Sequence, residues 1–290
     1  MKPASFEYHR AASVAEALDL LARHGPEAKI LAGGQSLIPL MKLRLARPGV
    51  LVDLNRCNEL AYVRHRNGTV AFGAMARLAE LESAEIRSRW PILAAAARHI
   101  GHPAIRHRGT ICGSLAHADP AAELPLLALA LDAELSVRGP SGERAVPARD
   151  FFLTYLTTSL GPGELLVEAR FPAPGPRSGW GFTELARRHG DFAIVSAAAV
   201  IEVTPAGRIS GARIALGGVA DRAIRCPEAE AALLGGPGDA AAFRAAAAAA
   251  AEPLAPPSDL HGSGAYRRHV AGVLVERVLA EAWQRAAAPA

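Results

Sequence analysis

Cysteine is scarce in this chain. Its three cysteines, Cys57, Cys112 and Cys226, lie far apart, with no C-x-x-C pair and no short histidine-rich spacing beside them. That argues against an iron–sulfur cluster or structural zinc held by this chain, and it fits a reducing compartment. Long hydrophobic runs are also missing. Leu124 to Leu131 and the alanine tract Ala245 to Ala251 fall short of the roughly 18 apolar residues that cross a membrane. The opening MKPASFEYHR lacks the apolar stretch of a signal peptide, so we expect a cytoplasmic chain with no membrane span. Charge imbalance is slight, with 32 Lys+Arg against 28 Asp+Glu, a net charge of +4 and a pI near 9.2. The charges are scattered and form no patch for a phosphate backbone, so nucleic acid is not an expected partner. The basic cluster Arg106-His107-Arg108 reads equally well as a solvated face or as an anion contact. Aromatics make up only 5% of residues while hydrophobics make up 50%, so the core is built mainly of Ala, Leu, Val and Ile.

What is present suits two moderate domains. Ser13 and Glu16 have capping-box spacing, and Val14, Leu18 and Leu21 recur on one helical face until Gly25-Pro26. Short strands are expected at Ala28 to Leu31, Val50 to Leu54 and Thr69 to Gly73. Helices are expected over Leu78 to Ile86, Trp90 to Ile100 and, fully buried, Pro125 to Leu131. Glu134 to Arg138 and Glu164 to Phe171 alternate as strands do. The stretch from Pro172 to Gly179 carries the Pro/Gly signature of a linker. Beyond it, Gly181 to Arg187, Ala193 to Val203 and Arg208 to Leu216 predict a three-stranded antiparallel sheet. Helices at Asp239 to Ala251 and about Ser263 to Arg285 cover it.

Two segments carry chemistry. In Lys29-Ile30-Leu31-Ala32-Gly33-Gly34-Gln35-Ser36 a strand runs into two glycines, whose missing Cβ atoms let backbone amides approach a diphosphate. A plain tight turn explains these residues about as well, since neither a P-loop nor a Rossmann pattern is present. The second segment is Gly109-Thr110-Ile111-Cys112-Gly113-Ser114 with His117, Asp119 and Glu123 downstream. Its hydroxyl, imidazole and carboxylate groups beside an apolar helix call for a ligand or a hydrogen-bond network; a capped loop remains an even alternative. The spacing of His117, Asp119 and Glu123 fits no familiar zinc pattern, and no G-x-S-x-G elbow marks a hydrolase.

The two segments together, with Met41 to Pro48, Tyr155 to Thr158, Gly163 to Leu166, Ala186 to Ala193 and Tyr266 to Arg268, resemble the FAD-binding medium subunit of the carbon monoxide dehydrogenase and xanthine dehydrogenase (molybdenum hydroxylase) family. The resemblance covers nearly the whole chain. It implies an α+β fold: a vanillyl-alcohol-oxidase-type (PCMH-type) FAD-binding domain over residues 1–175, with subdomains of about 1–55 and 56–175, followed by a small α+β domain with an antiparallel sheet over 178–288. It implies FAD contacts from Lys29, Ile30, Leu31, Ala32, Gly33, Gly34, Gln35 and Ser36 in a first turn. A second turn, Gly109, Thr110, Ile111, Cys112, Gly113 and Ser114, adds further contacts, with His117, Asp119, Glu123 and the apolar Ile100 and Leu166.

The implied activity is electron relay to a quinone or NAD. The partners would be a large molybdopterin-binding subunit and a small [2Fe-2S] subunit, assembled as a dimer of heterotrimers. No catalytic residue and no metal ligand is expected in this chain, because electron storage belongs to the cofactor. A self-contained FAD oxidoreductase and a nucleotide-binding assembly module without turnover stand as alternatives. Two departures bear on the site. Cys112 stands where the family usually has glycine, so its side chain is expected either to disfavour positive φ and crowd the backbone's approach to phosphate, or to be tolerated in a β-type conformation with no reactive role. Thr183-Glu184 stands where some relatives offer a lysine near the flavin. Of the 32 basic side chains only Lys2, Lys29 and Lys42 are lysines, and Lys29 directly precedes the first turn; pyrophosphate contact and a plain surface position explain it equally well.

Overall fold

The computed structural model describes residues 1–287, so the expected domain end at residue 288 lies outside the described residues. The chain opens with β1 (Glu7–Arg10), α1 (Val14–His24), β2 (Ala28–Leu31), α2 (Leu37–Lys42) and β3 (Val50–Asp53). The three strands form a parallel sheet in the order β1-β3-β2. The Ser13 hydroxyl accepts from the Glu16 amide at 3.1 Å, capping α1, and Val14, Ala17, Leu20 and Leu21 are buried. β1 had no sequence signal because Glu7–Arg10 is charged and largely exposed at the sheet edge.

Next come β4 (Val63–Arg66), β5 (Thr69–Gly73), α3 (Ala84–Arg89), α4 (Pro91–Ala97), α5 (Pro103–Arg106), α6 (Ile111–His117) and α7 (Glu123–Ala130). They are followed by β6 (Glu134–Gly139), β7 (Gly142–Pro147), α8 (Ala148–Phe151), β8 (Phe152–Thr154), β9 (Thr157–Thr158) and β10 (Leu165–Pro172). An antiparallel five-stranded sheet runs β4-β5-β10-β6-β7. All of α7 is buried, which is why its sequence is apolar on every side. The single helix expected over Leu78 to Ile86 is divided. Leu78–Glu82 is a 3-10 turn, and Ser83 restarts the chain by accepting from the Ile86 amide at 3.4 Å. Trp90 is fully buried and its indole N–H donates to the Phe171 carbonyl at 3.2 Å.

The remainder is β11 (Ser178–Leu185), β12 (Val195–Val203), β13 (Ile209–Gly217), β14 (Ile224–Arg225), α9 (Pro227–Leu233), α10 (Ala240–Ala251) and α11 (Gly264–Ala287). The antiparallel sheet has four strands, β11-β12-β13-β14, rather than the three expected. β14 is only two residues long, too short to show periodicity. The faces of β12 alternate as a strand buried on both sides requires. Val195, Ala197, Ala199 and Ile201 join the core under α10 and α11, while Ala198 and Val200 join the core of the preceding domain. A Cβ on Gly179 or Gly181 would collide with the α11 carbonyls of Ala282 or Val278, so these glycines let the helix lie directly on the strand.

Candidate functional site

The strand β2 delivers the first glycine turn at its carboxyl end, beside the end of β3, where open parallel sheets commonly bind ligands. Gly34 has φ +74°, a left-handed conformation that favours glycine. Gly33 has a different reason to be glycine: a Cβ there would strike the Arg108 carbonyl oxygen and stand 2.6 Å from the Gly109 Cα. The two segments are therefore stacked on each other.

The second segment is held by its neighbours. The Leu78 amide donates to the Gly109 carbonyl and the Ile111 amide to the Ala76 carbonyl, both at 3.0 Å. Most of this segment is helix rather than turn. Thr110 caps α6, its hydroxyl accepting from the Gly113 amide at 3.1 Å. A Cβ on Gly113 would stand 2.5 Å from that hydroxyl and 3.7 Å from the Ala32 Cβ, so Gly113 faces the first turn.

Ile111 and Cys112 are buried in the core, and only their backbone is available to a ligand. The Cys112 thiol reaches toward the Phe72 carbonyl at 3.7 Å, and burial pushes its pKa far up. The positive φ that a side chain would disfavour is not adopted at Cys112. The residue is helical with negative φ and its side chain points away from the first turn.

A cavity of about 360 Å³ opens along the first turn, lined by Leu31, Ala32, Gly33, Gly34 and Gln35 together with Ile38, Pro39, Lys42, Asp53, Asn55 and Arg108. A polar network frames it. The Asn55 amide donates to the Ala32 carbonyl at 3.0 Å and to Asp53 at 2.6 Å. Arg77 donates to Asn55 Oδ1 at 2.8 Å and to the Arg108 carbonyl at 2.5 Å, linking the end of β3 to the second segment. Burial raises the Asp53 pKa, but hydrogen bonds from Tyr8 and Asn55 outweigh it and hold Asp53 below the usual carboxylate range. Sequence reasoning missed Asp53, Asn55 and Arg77. The available signal was a polar pair, Asp53 and Asn55, at the carboxyl end of the buried β3.

The other expected site residues are spread around this centre. Lys29 is exposed, Ile30 packs on the main core, and Gln35 Nε2 folds back onto the Gly33 carbonyl at 3.2 Å. Ser36 begins α2 without a side-chain cap bond, and Ser114 is half-buried. Burial and the Lys29 ammonium lower the pKa of His117, against the opposing pull of Asp119. Asp119 accepts from the Ala121 amide at 2.9 Å. Leu166 is buried in β10, paired with Val137; it is part of the core and not of the cavity lining. Ile100 is half-buried, and Arg106 donates at 3.2 Å to both the Ile100 and the Gly101 carbonyls.

Arg106 is thus neither a solvated residue nor an anion contact. It is buried and forms an ion pair with Glu82 at 3.0 Å. A second polar cluster lies where β11 meets the first domain. His99 Nδ1 is 3.1 Å from Glu184 Oε1, and the pKa of the buried Glu123 carboxyl is raised to about 8, chiefly by burial and then by the charge of Glu184.

Two stacked glycine segments beside a cavity suit a nucleotide cofactor with a diphosphate, and the comparisons supply its class. Residues 4–174 match the family described as FAD binding domain in molybdopterin dehydrogenase, and residues 180–282 match the CO dehydrogenase flavoprotein C-terminal domain. The 6-hydroxypseudooxynicotine dehydrogenase complex subunit alpha of Paenarthrobacter nicotinovorans is 47% identical over 99% of this chain and 97% of its own. The carbon monoxide dehydrogenase medium chain of Hydrogenophaga pseudoflava is 43% identical over 99% of this chain and 100% of its own. A solved structure of carbon monoxide dehydrogenase from Hydrogenophaga pseudoflava, lacking the Mo-pyranopterin moiety of its molybdenum cofactor, superposes with a TM-score of 0.96 at 44% identity, covering 98% of this chain and 99% of the other. The chain belongs to the FAD-binding medium subunits of the molybdenum hydroxylase oxidoreductases, and its cofactor is FAD. Among the described residues no helix is long and apolar enough to cross a membrane, and no group of three or more His, Cys, Asp or Glu could hold a metal ion.

Proposed function

We propose that this chain is the electron-transfer subunit of a cytoplasmic molybdenum hydroxylase. In this reading it takes electrons from [2Fe-2S] clusters of a small partner subunit, serves a large molybdopterin-binding subunit, and passes electrons to a quinone or NAD. The assembly would be a dimer of heterotrimers, and the chain would divide into an FAD-binding domain over 1–175, with subdomains about 1–55 and 56–175, and a second domain over 178–288. The observation that carries the reading is the stacking of Gly33 on Arg108 and Gly109 beside a cavity of about 360 Å³.

The residues present fit the cofactor. The first turn bares its backbone to the cavity, and Lys42 and Arg108 supply positive charge there, suited to a diphosphate. When bound, FAD supplies a carrier that accepts electrons singly or in pairs.

The chain's own residues bind and orient. Lys29 to Ser36 and Gly109 to Ser114 would hold the diphosphate, with Ile111 and Cys112 contributing backbone only. Asn55 and Arg77 keep the two segments in register. Ile100 would present an apolar wall, fixed from behind by Arg106. His117, Asp119 and Glu123 would meet the polar groups of the cofactor, and Leu166 would support the wall from the core. None of these side chains needs to act as nucleophile.

The reading is tested by purifying the chain with and without its co-expressed neighbours and recording flavin spectra and metal content. Flavin in this chain, with molybdenum and iron in co-purifying large and small chains, supports it. Flavin that turns over substrate without partners, or a colourless chain unable to take up FAD, overturns it.

A further inference from the structure

The stretch from Tyr266 to Arg268 lines neither the cavity nor the glycine segments, yet it buries a guanidinium where the two domains meet. Arg267 lies near the start of α11 and is only 5% exposed. A charge buried to that degree needs bonds that offset its lost hydration. Its Nη2 donates to Asp259 at 2.7 Å, and the His261 and Gly262 amides fix Asp259 in turn at 2.8 and 3.1 Å. Its Nη1 donates to two backbone carbonyls from separate strands. One belongs to Ile194, just before β12; the other belongs to Gly218, just after β13, at 3.0 Å. A planar guanidinium can hold a carboxylate and two carbonyls in one fixed fork, which a flexible ammonium cannot match.

Both carbonyls lead to segments assigned to the cofactor. The Gly218 amide donates to the Pro120 carbonyl at 2.9 Å, and Pro120 lies between Asp119 and Glu123. The turn that carries this bond is tightly fitted. Gly218 has φ +75°, and a Cβ there would strike the Ile194 carbonyl oxygen, while one on Gly217 would stand 3.2 Å from the Pro120 oxygen. Ile194 closes the loop of residues 186–193, its amide donating to the Leu185 carbonyl at 2.7 Å. That loop leans on the first domain. A Cβ on Gly190 would stand 3.1 Å from the carbonyl oxygen of Gly101, the neighbour of Ile100, and His189 stacks on His99 with ring centroids 5.9 Å apart. Arg268, by contrast, donates to the Leu254 carbonyl at 2.8 Å within its own domain.

We propose that Arg267 is a positioning residue for the flavin site, pinning both the Pro120 segment and the 186–193 loop from the second domain. It does not line the cavity and acts through Gly218 and Ile194. Without it the two carbonyls lose their common donor, the Gly217-Gly218 turn is freed, and the bond from Gly218 to Pro120 opens more often. The role at the cofactor rests on the FAD reading; the clamp on Pro120 does not.

The test compares Arg267→Met with Leu274→Ala in the full chain. Leu274 is a buried core residue further along α11, so truncating it destabilises the second domain without removing a bond to either carbonyl. Amide hydrogen exchange is followed first, without FAD. The Gly218 amide is expected to exchange about tenfold faster or more in Arg267→Met, beyond any change at other amides of its domain, and to show no such excess in Leu274→Ala. FAD titration is then expected to give an affinity lower by about tenfold or more in Arg267→Met, with altered visible circular dichroism of the bound flavin. Leu274→Ala should keep the wild-type affinity and dichroism. Unchanged Gly218 exchange, wild-type affinity and dichroism in folded Arg267→Met, or equal losses in both variants overturns the proposal. Asp259→Asn removes the charge that orients Arg267 and should produce the same changes to a lesser degree. Where Arg267→Met fails to fold, absence of those changes in Asp259→Asn overturns the proposal. A wild-type chain that takes up no FAD overturns the flavin reading and the role at the cofactor, while faster Gly218 exchange in the variant still supports the clamp.

Discussion

Gly33 and Gly109 lie back to back, so close that a Cβ on Gly33 would stand 2.6 Å from the Gly109 Cα. Gly33→Val therefore separates the two segments that frame the cavity. Gly113→Val instead disturbs the Thr110 cap of α6, 2.5 Å from the new Cβ, a cap worth about 1 kcal/mol. Both variants are expected to fold with reduced stability and to lose FAD affinity by about tenfold or more, which corresponds to ~1.4 kcal/mol. Circular dichroism with flavin absorbance after gel filtration checks this; normal flavin content in both folded variants contradicts it.

Arg77 bonds both to Asn55 and to the Arg108 carbonyl. Hydrogen bonds to charged groups are worth roughly 1.5–3 kcal/mol. Arg77→Met is expected to weaken FAD binding and to lower the melting temperature. Combined with Asn55→Ala, its cost should be less than additive, because both residues serve one network. Strict additivity in a double-mutant cycle would count against that linkage.

Cys112 points into the core, bonded toward the Phe72 carbonyl. Cys112→Gly is accordingly expected to cost about 1 kcal/mol or more, from the helical glycine and the lost packing, and to bring no gain in FAD affinity. Its thiol, buried and with a raised pKa, should resist alkylation in the native chain. Tighter FAD binding by the glycine variant, measured by flavin fluorescence, would restore the idea that the side chain crowds the cofactor.

The domain order and most long elements were legible because they obey simple patterns: α1 has its cap and apolar stripe, and β12 is apolar except at Ser196 and Glu202. Charged β1 and two-residue β14 were hidden, since sheet pairing alone makes them strands. At the site, both glycine segments could be read, but the reason for Gly33 could not. It is a contact between residues 76 positions apart in sequence (33 and 109). Asp53 and Asn55 formed no motif with Arg77, because a separate segment brings Arg77 to them. In sequence Arg106 belongs to a basic cluster open to either a solvated or an anion-contacting role, and what decides its place is the pair of backbone carbonyls at Ile100 and Gly101 that it binds.

Glu123 also makes stability depend on pH. Its pKa is raised from 4.5 to about 8 in the folded chain, so the folded state binds the extra proton. That contribution is complete below the unfolded value and is lost as pH rises through the folded one. Between these limits stability should decline with rising pH, and Glu123→Gln should flatten that decline. Parallel denaturation curves of wild type and variant across the range measure it; identical slopes would refute the assignment.

The most direct test of the central claim is the visible absorption spectrum of the purified chain after incubation with FAD and gel filtration. The account predicts a stoichiometric flavin spectrum that is lost in Gly33→Val. A wild-type chain that emerges folded and colourless would contradict it.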